Sequence, residues 1–92
     1  MAIMATLRER RQYREAVLRA LYLAVTDNRT SLSGDALREA VDLPGQDLAA
    51  ACRYLADEGL ISVDWTSHRT PTTVTLTHEG LRHMETEEDR EG

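Results

Sequence analysis

Seven residues near the middle of this chain constrain its fold more strongly than any others. The stretch from Leu55 to Ile61 reads Leu-Ala-Asp-Glu-Gly-Leu-Ile, which is typical of a helix that stops on a glycine and leads directly into a strand. Gly59 is expected to take the left-handed conformation after the last helical turn, which would bring Leu60 against Leu55. The stretch therefore predicts a helix followed at once by β-structure.

Two short β-like segments follow this helix end. Ile61, Val63 and Trp65 alternate with polar residues, so we expect these three side chains to face the core. A connection over residues 67–71 leads to a second strand over residues 72–77, whose threonines suit an exposed sheet face. The pattern predicts a β-hairpin.

Helices are predicted on both sides of this hairpin. The first is expected over about residues 7–26, the second begins after the N-cap Ser33, and the third covers about residues 46–58. Thr77 is expected to be the N-cap of a fourth helix, because Leu76 and Leu81 occupy the two positions of a hydrophobic staple around it. These elements predict an α+β fold with a three-helix core, a two-stranded hairpin and a C-terminal helix.

Charge is distributed unevenly along the 92 residues. The formal net charge is −5, and all eleven basic residues are arginine. Residues 85–92 carry five acidic residues against one arginine, so the remainder of the chain is close to neutral. We expect one domain over residues 1–84 and an acidic, disordered tail over residues 85–92, with the fourth helix fraying after about Glu87.

No segment indicates secretion or membrane insertion. Cys52 is the only cysteine, so no internal disulfide can form, which is typical of a reducing compartment. The first five residues are too short for a signal peptide, and the longest apolar run, residues 20–25, is far shorter than a membrane span. We therefore expect a soluble, cytoplasmic protein.

The segment from Leu37 to Met84 resembles the winged helix-turn-helix superfamily of bacterial regulators, in particular the MarR- and PadR-type proteins. The resemblance rests on the turn Leu43-Pro44-Gly45, on Tyr54-Leu55 with Glu58-Gly59-Leu60-Ile61, and on Leu76-Thr77 with Gly80. It implies a winged-helix fold. In many members it also implies duplex DNA binding, with the third helix in the major groove and the wing on the backbone or minor groove. Other members are protein-interaction or dimerisation modules, so both functions stay open.

The DNA-binding implication assigns roles to exposed side chains. Glutamine pairs well with adenine, arginine pairs well with guanine, and alanine can touch the methyl group of thymine. An arginine at a hairpin tip can enter a minor groove. The candidate DNA-contacting residues are Gln46, Ala50, Arg53 and Tyr54 on the third helix and His68 and Arg69 at the wing tip. A solvated surface role is the alternative for Arg53, and the negative charge of Asp57 opposes close contact with phosphates.

A cluster of arginines opens the first helix: Arg8, Arg10, Arg11 and Arg14. Positive charge at a helix N-terminus opposes the helix dipole by a few tenths of a kcal/mol. Phosphate contacts are one interpretation of this arrangement. A solvated first turn, balanced by the two nearby glutamates, is the other.

The first helix also has an apolar stripe wide enough to bury more than one side. The candidate dimer-interface residues are Tyr13, Val17, Leu18 and Tyr22. A homodimeric transcriptional regulator that binds duplex DNA is one predicted function. The alternative is a winged-helix protein-interaction module without DNA binding, which would use the Ala-rich third helix or the stripe on the first.

Metal binding and catalysis have little support in the sequence. His78 and His83 are five residues apart, which places them roughly 140° around a helix, so they cannot share one ion as a four-residue spacing does. Cys52 lies on the expected core face of the third helix and is best explained as a small buried apolar residue. We expect no metal, no cofactor and no enzymatic activity.

Overall fold

The computed structural model describes residues 6–66 and 70–91. Its elements, in chain order, are α1 (Leu7–Thr26), β1 (Ser31–Ser33), α2 (Gly34–Val41), α3 (Gly45–Asp57), β2 (Ile61–Trp65), β3 (Pro71–Leu76) and α4 (His78–Glu91). This α+β arrangement is a winged helix-turn-helix, so the predicted fold class is confirmed.

The helix ends follow from local side-chain chemistry. Thr6 caps α1 in a reciprocal pair, in which its hydroxyl accepts from the backbone of Glu9 and the Glu9 carboxylate accepts from the backbone of Thr6. The Ser33 hydroxyl accepts a 3.1 Å hydrogen bond from the backbone N–H of Ala36 and so caps α2 as predicted. The last turn of α3 ends on Gly59, whose φ of 78° is in the left-handed region.

The sheet contains three strands in the order β1-β3-β2, all antiparallel, among the residues that the structure describes. Only the hairpin of β2 and β3 was expected. Leu32 of β1 and Val63 of β2 both lie opposite Val74, so β3 is the central strand. The three-residue strand β1 escaped prediction because it is too short to display alternation, and its last residue also carries the capping signal for α2.

The core lies where α1, α2 and α3 meet the inner face of the sheet. Its buried members are Val17, Leu18, Leu21, Ala24, Leu32, Leu37, Leu48, Ala51, Cys52, Leu55, Ile61 and Val74. Trp65 was expected among them, but it is 37% exposed. Burial falls along β2 from Ile61 to Trp65, and the register of β2 with β3 shifts between Asp64 and Trp65.

One compact joint connects the end of α3, the start of β2 and the start of α4. The N–H of Leu60 donates to the carbonyl of Leu55 at 3.0 Å, as expected after a left-handed glycine. Thr77 donates through its N–H to the carbonyl of Leu60 at 3.0 Å and through its hydroxyl to the carbonyl of Gly59 at 2.6 Å. The same hydroxyl accepts from the N–H of Gly80 at 3.0 Å and thereby caps α4, as predicted.

The acidic C-terminal stretch is helical in the structure as far as Glu91, whereas the sequence predicted fraying after about Glu87. Packing of α4 along α1 accounts for the difference, because the Tyr22 hydroxyl donates a hydrogen bond to the Glu88 carboxylate. The boundary at residue 84 between domain and tail stays a prediction. Across residues 6–66 and 70–91, no helix combines the length and apolarity that a membrane crossing requires.

Candidate nucleic-acid interface

Helix α3 has one buried face and one open face. Leu48, Cys52 and Leu55 recur at helical spacing and are at most 2% exposed, so they fix the helix against the core. Burial also raises the pKa of the Cys52 thiol to about 11, which keeps it protonated and inert at neutral pH. The opposite face of α3 is therefore directed away from the core.

The predicted DNA-contacting residues of α3 lie on this open face. Gln46, Ala50 and Arg53 are exposed and follow one another at spacings of four and three residues, which places them along one stripe. Tyr54 lies beside the stripe and is 47% exposed. The fold thus brings these four candidates together on one surface.

The wing-tip candidates His68 and Arg69 lie outside the described residues. The base of their connection is described: the N–H of Thr66 donates to the carbonyl of Thr70 at 2.9 Å, and the N–H of Thr70 donates to the Thr66 hydroxyl at 3.2 Å. These bonds hold the two ends of the connection together at the far end of the β2–β3 hairpin.

Two arginine–aromatic contacts border the stripe. The guanidinium carbon of Arg14, on α1, lies 4.0 Å from the centre of the Tyr54 ring. The guanidinium carbon of Arg53 lies 5.7 Å from the centre of the Trp65 ring, which belongs to β2. Both separations are in the range where the ring face attracts a cation. The open face of α3 is thereby continued onto α1 on one side and onto the wing on the other.

Neither Arg14 nor Trp65 was among the predicted site residues. Arg14 was assigned to the N-terminal arginine cluster and Trp65 to the core, because each position depends on how separate elements pack. The sequence offered one weak signal, the position of Trp65 at the end of its strand and next to a polar connection, and this signal alone does not say whether the ring is covered.

Negative charge is also present around the stripe. Asp57 is exposed and extends the line of Gln46, Ala50 and Arg53 by one more turn. Asp47 lies in the first turn of α3, where the helix dipole favours an acid. Partial burial raises the pKa of Tyr13, with the charges of Glu9 and Asp47 as smaller causes. The surface is therefore mixed in charge.

The predicted dimer residues need a correction. Val17 is fully buried and Leu18 is 4% exposed, because both face the core of their own protomer. Tyr13 and Tyr22 are half-buried, and their hydroxyls donate to Glu9 and Glu88 of the same chain. The stripe on α1 is wide because it packs against several elements of its own chain, so Val17 and Leu18 offer no surface to a second copy.

No cofactor-like arrangement is found in the part of the chain that the structure describes. Within residues 6–66 and 70–91, no group of three or more His, Cys, Asp or Glu side chains is placed to hold a metal ion. His78 and His83 are both exposed on α4, and Cys52 is buried on α3.

Comparison with known proteins identifies the fold. No protein-family model matches the chain, and no curated protein is significantly similar to it in sequence. Among solved structures, BpsR of Bordetella bronchiseptica, a winged-helix regulator of the MarR family, matches with a TM-score of 0.54 and 17% identity, over 91% of this chain and 76% of that chain. The BpsR structure concerns the mechanism by which 6-hydroxynicotinic acid regulates the DNA binding of BpsR. At this identity the likeness establishes the fold that the sequence motifs predicted.

Proposed function

We propose that this chain is a DNA-binding protein of bacterial type that acts in the cytoplasm as a homodimeric transcriptional regulator. The observation that supports this most is the open face of α3, where Gln46, Ala50 and Arg53 form one stripe on the element that reads the major groove in winged-helix proteins. The fold shared with BpsR, whose DNA binding is regulated, also supports DNA binding as the proposed function.

Arg53 is the residue that we assign to base or phosphate recognition. Its guanidinium lies near the face of Trp65, and it pairs with no carboxylate among residues 6–66 and 70–91, so we take its N–H groups to be available to a duplex. The contact with the ring also favours one placement of the side chain before binding, which lowers the entropy lost when its donors engage a base. Trp65 thus acts as a positioning residue for Arg53.

Residues on both sides of α3 extend the proposed contact. Arg14 would face the phosphate backbone from α1, because its charge lies beside the half-exposed Tyr54. His68 and Arg69 would contact the backbone or minor groove from the wing. Gln46 and Ala50 would meet base edges, while Asp57 limits how closely the last turn of α3 approaches a phosphate.

The chain supplies its own probe for the first test. Trp65 is the only tryptophan, so intrinsic fluorescence reports specifically on the surroundings of Arg53. We expect mixed-sequence duplex DNA at about 50 mM salt to change this fluorescence, with an affinity that falls steeply towards about 200 mM salt. Because the recognised sequence is unknown, a pool of random duplexes is the suitable ligand.

A matched pair of variants separates recognition from general charge. Arg53→Ala should weaken binding of the random pool and reduce its salt dependence, as expected for loss of an arginine at the contact surface. Arg82→Ala removes the same charge from the exposed face of α4, where its partner is Glu79 at 3.8 Å, and should leave binding nearly unchanged. Equal effects of the two variants would contradict a specific role for α3.

Protein interaction is the second candidate function, and one observation favours it. Tyr54, Trp65 and their arginine neighbours are the residue types that concentrate binding energy at protein interfaces. If no duplex binds at about 50 mM salt, where phosphate contacts are strongest, the DNA proposal fails and this surface is better assigned to a protein partner.

A further inference from the structure

A groove runs along the surface between α1 and α2. Its apolar lining includes Ala16, Ala20 and Leu23 from α1 and Ala36 and Ala40 from α2. No residue of α3 lines it among those that the structure describes, so the groove is separate from the candidate DNA surface.

Leu23 is the prominent apolar side chain in this groove. It is 59% exposed, although Val17 and Leu21 of the same helix are buried and Tyr22 is bonded to α4. A single exposed leucine is ordinary on a protein surface. Here, however, Leu23 lines the groove itself, beside small side chains that let another helix approach closely.

The charges around Leu23 suit a second copy of the same chain. Arg19 and Asp27 both line the groove, four residues before and four residues after Leu23. In an antiparallel helix pair with its two-fold axis at Leu23, Arg19 of each copy lies opposite Asp27 of the other. Within residues 6–66 and 70–91, Arg19 has no ion pair, and Asp27 reaches only Arg29 at 4.0 Å.

We propose that this groove is the homodimer interface, with two α1 helices packed antiparallel and each Leu23 seated in the groove of the other copy. Two Arg19–Asp27 pairs flank the apolar centre and set the antiparallel direction. The assignment refines the homodimer part of the proposed function and replaces the surface expected at Val17 and Leu18. It does not depend on DNA binding, and it leaves the α3 face of both copies open.

The oligomeric state of the full chain tests this interface without DNA. A contact between two helices is at the small end of interface sizes, so we expect a dimer in the micromolar range. Sedimentation equilibrium from about 1 µM to about 500 µM should follow the mass from that of the 10.4 kDa monomer towards twice that value. Leu23→Gln should raise the dissociation constant at least tenfold, whereas Leu7→Gln, on the same helix but outside the groove, should not change it.

Charge reversal tests the antiparallel register. Arg19→Glu and Asp27→Arg should each weaken the dimer several-fold, and the double variant should restore it. Both changes are compatible with the helix, since glutamate is a good helix former and a cation suits the C-terminal end of α1.

The possible failures are distinguishable. If the unaltered chain stays monomeric at all concentrations, this interface and the homodimer part of the proposed function both fail, while DNA binding by one copy keeps its own test with Arg53→Ala. If the dimer forms but is indifferent to Leu23→Gln, or if the double variant does not restore it, the groove is the wrong surface and the dimer itself stands.

Discussion

Replacing Gly80 with alanine should destabilise the fold, because α4 packs directly against the joint at the end of α3. A methyl group at this position would overlap the carbonyl oxygen of Leu60 and come within 2.7 Å of the Leu76 Cδ1 atom. The carbonyl belongs to the backbone and already accepts from the N–H of Thr77 at 3.0 Å, so it cannot move aside freely. The helix itself would have to shift away from the joint.

The size of the effect follows from these contacts. Forcing an extra methyl group into a packed site costs about 1–3 kcal/mol. Stretching a hydrogen bond of the joint costs about 1 kcal/mol more. The helix preference for alanine over glycine returns up to about 1 kcal/mol. We expect Gly80→Ala to lower the free energy of unfolding by about 2 kcal/mol, which corresponds to a fall in Tm of about 8–16 °C for a domain of this size.

Gly45→Ala is the matched control for this substitution. Gly45 opens α3, its φ is not in the left-handed region, and a methyl group there would meet no atom within 4 Å. Alanine should therefore raise stability by about 0.4–1 kcal/mol, mainly by restricting the unfolded chain. Thermal and urea unfolding followed by far-ultraviolet circular dichroism would measure both variants. Equal melting temperatures for the two would refute the close packing of α4 on Leu60.

Two further predictions concern side chains whose pKa values are shifted by the fold. The hydrogen bond to Glu88, together with partial burial, raises the pKa of Tyr22 to about 12. Its contribution to stability is therefore fully present below tyrosine's ordinary pKa of about 10 and is lost as the pH rises through about 12. A titration that follows tyrosinate absorbance should contain a component with a pKa near 12. Tyr22→Phe should remove this component, and Tyr13→Phe should leave it in place. If it survives Tyr22→Phe, the assignment to Tyr22 is wrong. Cys52, fully buried and with its pKa raised to about 11, should react with Ellman's reagent at pH 8 only when the chain unfolds, and rapid reaction of the native protein would contradict its burial.

Features that depend on a few neighbouring residues could be predicted from the sequence. The bounds of α1, the caps at Ser33 and Thr77 and the left-handed Gly59 all follow from short-range hydrogen bonds. The exposed stripe of α3 was predictable for a related reason, since the spacing of its apolar residues determines which side faces the core. These predictions needed no knowledge of what each helix packs against.

Features that depend on distant elements could not be predicted in the same way. The burial of Val17 and Leu18 depends on which elements surround α1, and the sequence pattern gave only the width of the apolar stripe. The outward position of Trp65 accompanies a shift in the pairing of β2 with β3 between Asp64 and Trp65, which the sequence pattern does not indicate. Arg14 lies at the candidate site because α1 passes near Tyr54, and this proximity is a property of the tertiary fold.

The joint formed by Gly59, Leu60 and Thr77 has a mechanical consequence. Because hydrogen bonds at this point connect α3 and β2 to α4, α3 cannot rotate against the rest of the protomer without breaking them. If the chain binds DNA as the proposed homodimer, each copy would contact the duplex as one rigid body. DNA sites whose two halves lie at different distances could then be bound only if the contact between the copies adjusts. The range of half-site spacings that the protein binds would therefore measure the flexibility of that contact.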